Sequence, residues 1–272
     1  FIFGDDITEL FSVMNKELMG VANWCKANVL SLNVKKTVYM LFHKARKNIS
    51  LNELFICIGD SVLSRVNACK FLGIVIDEHL TFKPHIQYVT SKLSKNVGLL
   101  ARIRPYITLP VAVTLYYSFI FPYLNYCNLI WASNYSTYLQ PLLKLQKRYL
   151  RIIFRLPCSS HTDPFFRQLN ILKIHQINHF HVGIFMYKLD HNMLPDLFRK
   201  LLPQSSSLHS CVPRSYPRYR PPFAKSNIKL RSIVCAGPNV YAKIPMTISQ
   251  QPKLSCFKRL LKKFIIESPM FQ

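Results

Sequence analysis

Residues 136–156, STYLQPLLKLQKRYLRIIFRL, carry the clearest periodic pattern in the chain. Apolar residues recur at the three- and four-residue intervals of an α-helix, and Ser136 or Thr137 stands where a capping hydroxyl is expected. The apolar positions are Leu139, Leu142, Leu150 and Ile153. The opposite face is basic, with cations at i, i+3, i+4, i+7 and i+11, namely Lys144, Lys147, Arg148, Arg151 and Arg155. The stretch therefore predicts an amphipathic helix, and these five cations are called the basic ridge below.

The net charge of the chain helps to decide whether the basic ridge is a solvated helix face or a binding surface. A row of cations is often only a solvated helix face, but here few carboxylates offset it. Beyond residue 100 the chain has 24 basic and 4 acidic residues, against 12 and 8 before that point, and the net charge is +24. Such an excess favours a polyanionic partner, with nucleic acid first and an anionic membrane surface second. We therefore favour phosphate contact for the ridge.

Two stretches before the ridge predict further helices. From Lys83, with Pro84 in a first-turn position, an apolar stripe runs through Ile86, Val89, Leu93, Val97 and Leu100. The stretch 105–143 then contains no charged residue, which raises the alternative of a membrane-spanning segment. Because Pro122, Asn125 and Asn128 would fall in its middle, buried helices of a globular domain explain the stretch better.

The N-terminal part has a different pattern. Short apolar runs at 37–42 and 71–76, separated by turn signals, predict a small antiparallel sheet from about Thr37 to Ile76. The fold expected is therefore α+β, with a nearly all-helical remainder. Five prolines between Pro203 and Pro222 predict an exposed basic linker over 203–232 before a last helical segment, 233–272.

The opening stretch FIFGDDITEL places Asp5 and Asp6 behind an apolar run. Adjacent carboxylates there could hold a catalytic metal ion, as in nucleotide polymerases. Alternatively, Asp6 caps a helix whose apolar positions are Leu10, Met14, Leu18, Val21 and Cys25, with Glu9 completing a capping box. Local chemistry favours the cap.

Three histidines, His175, His179 and His181, suggest a metal site. The first pair has helical i, i+4 spacing, but neither a cysteine nor a carboxylate lies at a matching local spacing. We therefore interpret them as partly buried histidines and expect no metal site in this chain.

Several blocks of the sequence resemble one known family. They are NKELMGVANWCKANVLSLNVKKTVYMLF (15–42), CKFLGIVIDEHLTFKPHI (69–86), LYYSFIFPYLNYCNLIW (115–131) and LQKRYLRIIF (145–154). In this order they resemble the closing part of a non-LTR (LINE-type) retrotransposon reverse transcriptase, most of all the jockey- and CR1-like groups. The resemblance covers nearly the whole chain and implies RNA and DNA, as a primer–template duplex, for partners.

The resemblance also implies which of the two roles Asp5 and Asp6 have. In the family, the catalytic aspartates precede a short strand, a turn often containing F-I-x-G, and a helix that ends in tryptophan. FIFGDD resembles that later turn, which implies that Asp5 and Asp6 are a helix start and that the chain begins just after the catalytic motif. We therefore expect no catalytic residue here, although the complete polymerase would use magnesium.

The same resemblance implies roles for other residues. Lys36, in LSLNVKKT, takes the place of a lysine that assists the departure of pyrophosphate, but it could also be a solvated lysine at a strand entry. Lys70, Phe71, Leu72 and Gly73 resemble the primer grip, a β element that positions the primer end; Phe71, Leu72 and Ile74 could alternatively be core residues.

The implied organisation is the end of the palm over 1–82, a helical thumb over 83–157 and a helical extension over 158–202, before the linker and the last segment. The function implied is a fragment of an RNA-directed DNA polymerase that keeps primer–template contacts and is inactive alone. The alternatives are a non-enzymatic basic nucleic-acid-binding protein derived from such an element, or a basic membrane-associated protein. For the polymerase fragment we expect an intracellular location, in the nucleus or cytoplasm, and no membrane.

Overall fold

The computed structural model describes residues 1–44, 54–202 and 218–271. These form two compact units, Phe1–Pro84 and His85–Gln272. The described chain is mostly helical, with a few short strands in the first unit, so its class is α+β.

The elements follow the chain in order. The strands are β1 (Val38–Tyr39), β2 (Cys57–Ile58), β3 (Ser61–Val62), β4 (Ser64–Arg65), β5 (Ala68–Phe71) and β6 (Ile74–Asp77). The helices are α1 (Ile7–Ala27), α2 (Lys83–Ile103), α3 (Leu109–Phe119), α4 (Phe121–Asn125), α5 (Asn128–Trp131), α6 (Ser136–Phe154), α7 (Asp163–Gln168), α8 (Ile174–Asp190), α9 (Asp196–Leu201), α10 (Asn227–Arg231), α11 (Ile233–Tyr241), α12 (Met246–Ser249) and α13 (Leu254–Glu267). Short 3-10 helices occupy Val34–Lys36, Arg104–Tyr106 and Pro269–Phe271.

Helix α1 begins at the predicted N-cap residue, but the cap bond differs from that of the predicted capping box. Asp6 is its N-cap residue, and Oδ1 of Asp6 accepts a hydrogen bond of 2.8 Å from the backbone amide of Thr8. The bonded amide belongs to the second helical residue, whereas a capping box would use that of the third, Glu9. Asp6 therefore satisfies one of the free amides at the helix start.

The buried face of α1 differs from the predicted stripe. Phe11 packs with Ile56, Ile58 and Leu63 in the core of the first unit, and further α1 residues border this core, namely Ile7, Met14, Leu18 and Ala22. Val21, which was assigned to the inner face, is 46% exposed. The prediction was wrong at this position because Phe11, one residue after the predicted Leu10, supplies the large side chain that fills the core.

The strands of the first unit pair two by two. β2–β3 and β5–β6 are antiparallel, whereas β1 pairs with β4 in parallel, so the prediction of one small antiparallel sheet was wrong. The strand predicted over 37–42 is limited to Val38 and Tyr39. Turn-forming residues keep most of these strands to two residues, which is too short for a continuous sheet.

The predicted buried run 71–76 is instead a hairpin. Phe71 pairs with Ile74 across a two-residue turn in which Leu72 and Gly73 have φ of 45° and 86°. Positive φ at both central positions is the type I′ pattern, whose twist matches that of the strands. Phe71 and Leu72 are 59% and 75% exposed, so the interpretation of these two residues as core was wrong, while Ile74 is buried.

The second unit is built on α2 and α8. All five apolar residues predicted for α2 are buried, which confirms that helix face. Helix α8 packs against α4, α5, α6, α11 and α13 and is the central element of this unit.

The uncharged stretch 105–143 forms α3, α4, α5 and the start of α6. Tyr116, Leu124 and Trp131 are almost fully buried there, as expected for helices of a globular core. In the described parts of the chain, every helix is either too short or too polar to cross a bilayer.

The predicted linker 203–232 falls partly outside the described residues, since 203–217 are not described. Its described end contains the short helix α10. Ser226 caps this helix by accepting a hydrogen bond of 3.2 Å from the amide of Lys229.

Candidate nucleic-acid interface

The basic ridge lies on α6. Helix α6 starts at Ser136 with Tyr135 as N-cap and no side-chain capping bond, so the predicted cap at Ser136 or Thr137 was wrong. All four apolar residues predicted to face inward are buried. Among the ridge cations, Lys144, Arg148 and Arg155 are exposed, and Lys147 and Arg151 are half-buried. The structure thus brings four of the five cations together along one helix face, and the fifth, Arg155, follows at the end of the helix.

Two ridge residues are held by backbone groups. Arg151 donates from Nε to the carbonyl oxygen of Ser160 at 3.1 Å, which fixes the start of its guanidinium. Arg155 is the C-cap of α6 in the left-handed conformation, with φ of 55°. Its amide bonds back to the carbonyls of Arg151 and Ile152, as at many helix ends.

Two polar residues on the buried face, which sequence reasoning missed, fix α6. Gln146 donates from Nε2 to the hydroxyl of Tyr116 at 2.9 Å and to the carbonyl of Leu172 at 3.1 Å. Its Oε1 accepts the amide of Ile174 at 2.8 Å. Tyr149 donates its hydroxyl to the carbonyl of Ala112 at 2.9 Å. These bonds connect α6 to α3 and to the start of α8, so buried hydrogen bonds fix the position of the helix that carries the ridge.

Arg104, another residue that sequence reasoning did not single out, adds a cation at the C-terminal end of α6. Its Nε donates to the carbonyl of Ile153, and its Nη1 to that of Ile107, both at 2.8 Å. A cation at this end of a helix is stabilised by the free carbonyls and the helix dipole.

One carboxylate near the ridge, that of Asp163, already has a cationic partner. Nζ of Lys173 lies 3.0 Å from Oδ1 of Asp163. Burial raises the pKa of Asp163, but the bond from Lys173 and the charges of Lys173, Lys147 and Arg167 outweigh it, so the pKa is lowered. Asp163 thus stays ionised and is shared among several cations.

A second surface of interest lies within the first unit, at the β5–β6 turn. Lys70 and Phe71 end β5, and Leu72 and Gly73 form the turn, and all four are exposed. The turn therefore holds two large apolar side chains, Phe71 and Leu72, in water next to Lys70 in the sequence.

Lys36 is also in the first unit. It is the last residue of the 3-10 helix Val34–Lys36, and its amide donates to Oδ1 of Asn33 at 3.2 Å. Its side chain is exposed, just before β1.

The histidines of α8 do not form one metal site. Nε2 of His181 bonds with Oδ1 of Asn125 at 2.7 Å, and His179 contacts the ring of Phe271. His175 Nε2 and His179 Nδ1 are buried and make no hydrogen bond with any described residue.

The structure instead groups His43, Glu78 and His79, whose ligand-type atoms all lie within 4.8 Å of one another. Sequence reasoning missed this cluster because His43 is separated from the other two by the strands β2 to β6. In the sequence, His43 directly follows the predicted strand 37–42, and Glu78 and His79 directly follow Asp77, which comes after the apolar run 71–76. These local positions do not indicate that the two segments lie side by side.

The sequence of this chain is similar to those of known proteins. It is 26% identical over 215 residues to the probable RNA-directed DNA polymerase from transposon BS of Drosophila melanogaster, covering 74% of this chain and 23% of that protein. It is also 26% identical over 172 residues to the RNA-directed DNA polymerase from mobile element jockey of Drosophila funebris, covering 62% of this chain and 18% of that protein. The chain thus spans less than a quarter of the length of these relatives. No protein-family model and no solved structure matches it. Over most of its length, the chain shows distant similarity to the reverse transcriptases of the non-LTR retrotransposons BS and jockey.

Proposed function

We propose that this chain supplies primer–template contacts of a non-LTR retrotransposon reverse transcriptase, with the basic ridge as its main phosphate-binding surface. The observation that carries the proposal is the alignment of Lys144, Lys147, Arg148 and Arg151 on one face of α6, with Arg155 as the C-cap directly after them. The similarity of the chain to two RNA-directed DNA polymerases supports nucleic acid, rather than another polyanion, as the partner.

The dimensions of the ridge suit a nucleic-acid strand. From Lys144 to Phe154, the last residue of α6, the helix rises by about 15 Å, at about 1.5 Å per residue, and Arg155 caps that end. Successive phosphates of one strand in a duplex are separated by about 3.4 Å along the axis, so the ridge matches roughly five of them. Because phosphate contacts do not depend on the bases, we expect binding with little sequence preference.

The other expected contacts belong to the same proposal. The exposed hairpin turn Lys70–Gly73 would act as the primer grip, and Lys36 as the lysine that assists pyrophosphate departure in the complete enzyme. Residues 1–82 would be the closing part of the palm and 83–157 the thumb. The segments 158–202, 203–232 and 233–272 would then form the C-terminal region.

We infer that Asp6, Asp77 and Asp190 do not hold the magnesium ions of a polymerase, because each of these carboxylates has other partners. Asp6 caps α1. Asp77 accepts from the amide and hydroxyl of Thr81 and from the amide of Phe82, at 2.7–3.0 Å. Asp190 is bound by Arg218 at 2.6 Å. Phosphoryl transfer needs several carboxylates around shared metal ions, and no described group of three has that composition.

Binding of a fluorescent RNA–DNA hybrid duplex, followed by anisotropy, tests the proposed contact. The variant Lys144→Gln, Lys147→Gln, Arg148→Gln removes three ridge charges with residues of similar helix propensity. We expect at least about a tenfold loss of affinity at low salt. The control Lys92→Gln, Lys95→Gln, Arg102→Gln removes three exposed cations from α2 of the same unit. Equal losses in both variants would contradict a specific role of the ridge.

A further inference from the structure

Three side chains of the first unit converge on one point. Nε2 of His43 lies 3.4 Å from Oε2 of Glu78, and Nε2 of His79 lies 3.9 Å from Oε1 of the same carboxylate. The side chains of His43 and Glu78 are each 14% exposed, and that of His79 is 30% exposed. The cluster is therefore shielded yet open to solvent on one side.

Backbone bonds fix the three residues. The amide of His43 donates to the carbonyl of Glu78 at 3.3 Å, and the amide of Glu78 donates to the carbonyl of Asn67 at 2.9 Å. The preceding residue, Asp77, is buried and binds the turn that follows. The cluster thus joins the segment after β1 to the turn after β6.

Each imidazole is oriented by a backbone carbonyl. Nδ1 of His43 lies 3.1 Å from the carbonyl oxygen of Lys44, and Nδ1 of His79 lies 3.0 Å from that of His43. Because a carbonyl oxygen only accepts hydrogen bonds, Nδ1 carries the proton in each ring. In the neutral rings, Nε2 then presents its lone pair towards Glu78. The same arrangement orients histidines that bind metal ions.

Two imidazole lone pairs and a carboxylate that face one another are stabilised by positive charge among them, either protons on the imidazoles or a metal ion. Arg65 supplies one positive charge, with Nη2 at 2.8 Å from Oε2 of Glu78. Oε1, the other oxygen of the carboxylate, lies nearer to His79, at 3.9 Å from its Nε2.

We propose that His43, Glu78 and His79 bind a divalent transition-metal ion, zinc by the character of the ligands. Two imidazoles and one carboxylate suit zinc, whereas magnesium and calcium prefer oxygen ligands throughout. In a tetrahedral site with bonds of about 2.0–2.1 Å, neighbouring ligand atoms are roughly 3.3 Å apart. The observed 3.4 and 3.9 Å refer to the two different oxygens of Glu78, and the three ligand-type atoms lie within 4.8 Å of one another, so the side chains must move closer together to complete the geometry.

The ion would connect segments that are distant in sequence, and water would fill a fourth position. Such a cross-link stabilises a unit whose strands are mostly two residues long. The inference rests on this cluster alone and is independent of nucleic-acid binding.

Zinc and cobalt titrations of the full chain test the site. We expect tight binding of one zinc ion, measured by calorimetry, that is weakened at least tenfold in His43→Ala, His79→Ala. His161→Ala, at an exposed histidine of the second unit, is the control and should bind as the wild type does. Cobalt(II) should give the visible absorption of a four-coordinate nitrogen and oxygen site. A thiolate charge-transfer band would instead place the ion on cysteines and overturn the proposal.

A second pair of measurements covers the case in which the double variant fails to fold. Glu78→Gln preserves the side-chain size but removes the anionic ligand, and circular dichroism verifies that it folds. We expect zinc to raise the melting temperature of the wild type and of His161→Ala, but not that of Glu78→Gln. An equal rise in folded Glu78→Gln, or unchanged zinc affinity in the double variant, would show that the cluster is only an ion-pair network with Arg65.

Discussion

The Oε1 atom of Gln146 accepts a hydrogen bond of 2.8 Å from the backbone amide of Ile174, and thereby joins the ridge helix α6 to the start of α8. Gln146 and Ile174 are 1% and 0% exposed, so the Ile174 amide has no access to water as an alternative partner. The position of the ridge thus depends on a buried polar contact as well as on apolar packing.

Replacing Gln146 by leucine should destabilise the chain markedly. The variant leaves the Ile174 amide and the Leu172 carbonyl without the partners they have in the wild type. We expect a loss of about 2–4 kcal/mol in the free energy of unfolding, measured in urea. Gln140→Leu, at an exposed position of the same helix, should change it by less than about 0.5 kcal/mol. Similar stabilities for the two variants would contradict the buried contact.

Acid should weaken the fold through two histidines of α8. Burial, together with nearby positive charges, lowers the pKa of His175 to about 4, and burial with the charge of Lys243 does the same for His179. The unfolded chain, with a pKa of about 6.5, binds these protons first, so stability is full above that pH and falls as the pH drops towards 4. Each histidine should account for about 2 kcal/mol between pH 7 and pH 5.

Urea unfolding at the two pH values checks this assignment. His175→Gln, His179→Gln removes both titrating groups and should reduce the acid dependence. The exposed control His161→Gln should leave the dependence as in the wild type. An undiminished pH dependence in the double variant would assign it to other groups.

Two glycines should respond to alanine with opposite signs. A Cβ at Gly98 on α2 would meet nothing within 4 Å outside its own helix, so Gly98→Ala should stabilise the chain by about 0.5–1 kcal/mol. A Cβ at Gly183 on α8 would lie 2.8 Å from Cδ2 of Leu261 and 3.2 Å from Cδ1 of Ile244. Gly183→Ala should therefore destabilise it by about 1–3 kcal/mol. Denaturation midpoints that move in the same direction would contradict this packing of α8 on α13.

Primer extension on a primed RNA template tests the inference about metal ions. With magnesium or manganese, we expect no extension by the chain or by Asp5→Ala, Asp6→Ala. Extension by the wild-type chain that is lost in the Asp5→Ala, Asp6→Ala variant would show that these two aspartates are catalytic.

Local patterns were sufficient for the buried faces of α2 and α6. The stripe of α2 and the apolar face of α6 follow from a period of 3.6 residues, which depends on neighbours along the chain. Gln146 could have been found in the same way, since it lies four residues from Leu142 and from Leu150 on that face. It was missed because glutamine is usually a surface residue.

Long-range pairing in the first unit could not be predicted in this way. The parallel pairing of β1 with β4 joins strands that are separated by β2 and β3, and no local signal indicates it. The turn at Leu72 was missed because a leucine with positive φ is unusual in a hairpin. The cluster of His43, Glu78 and His79 also joins segments that are distant in sequence, so no local signal indicated it.

The salt dependence of duplex binding tests the central claim most directly. Five phosphate contacts release about five counterions, so log Kobs against log salt concentration should have a slope near roughly −4.5 on duplex DNA. Lys144→Gln, Lys147→Gln, Arg148→Gln should flatten that slope by about 2 to 3 units. The α2 control Lys92→Gln, Lys95→Gln, Arg102→Gln should retain the slope of the wild type. An unchanged slope in the ridge variant would contradict the account and place the binding surface elsewhere.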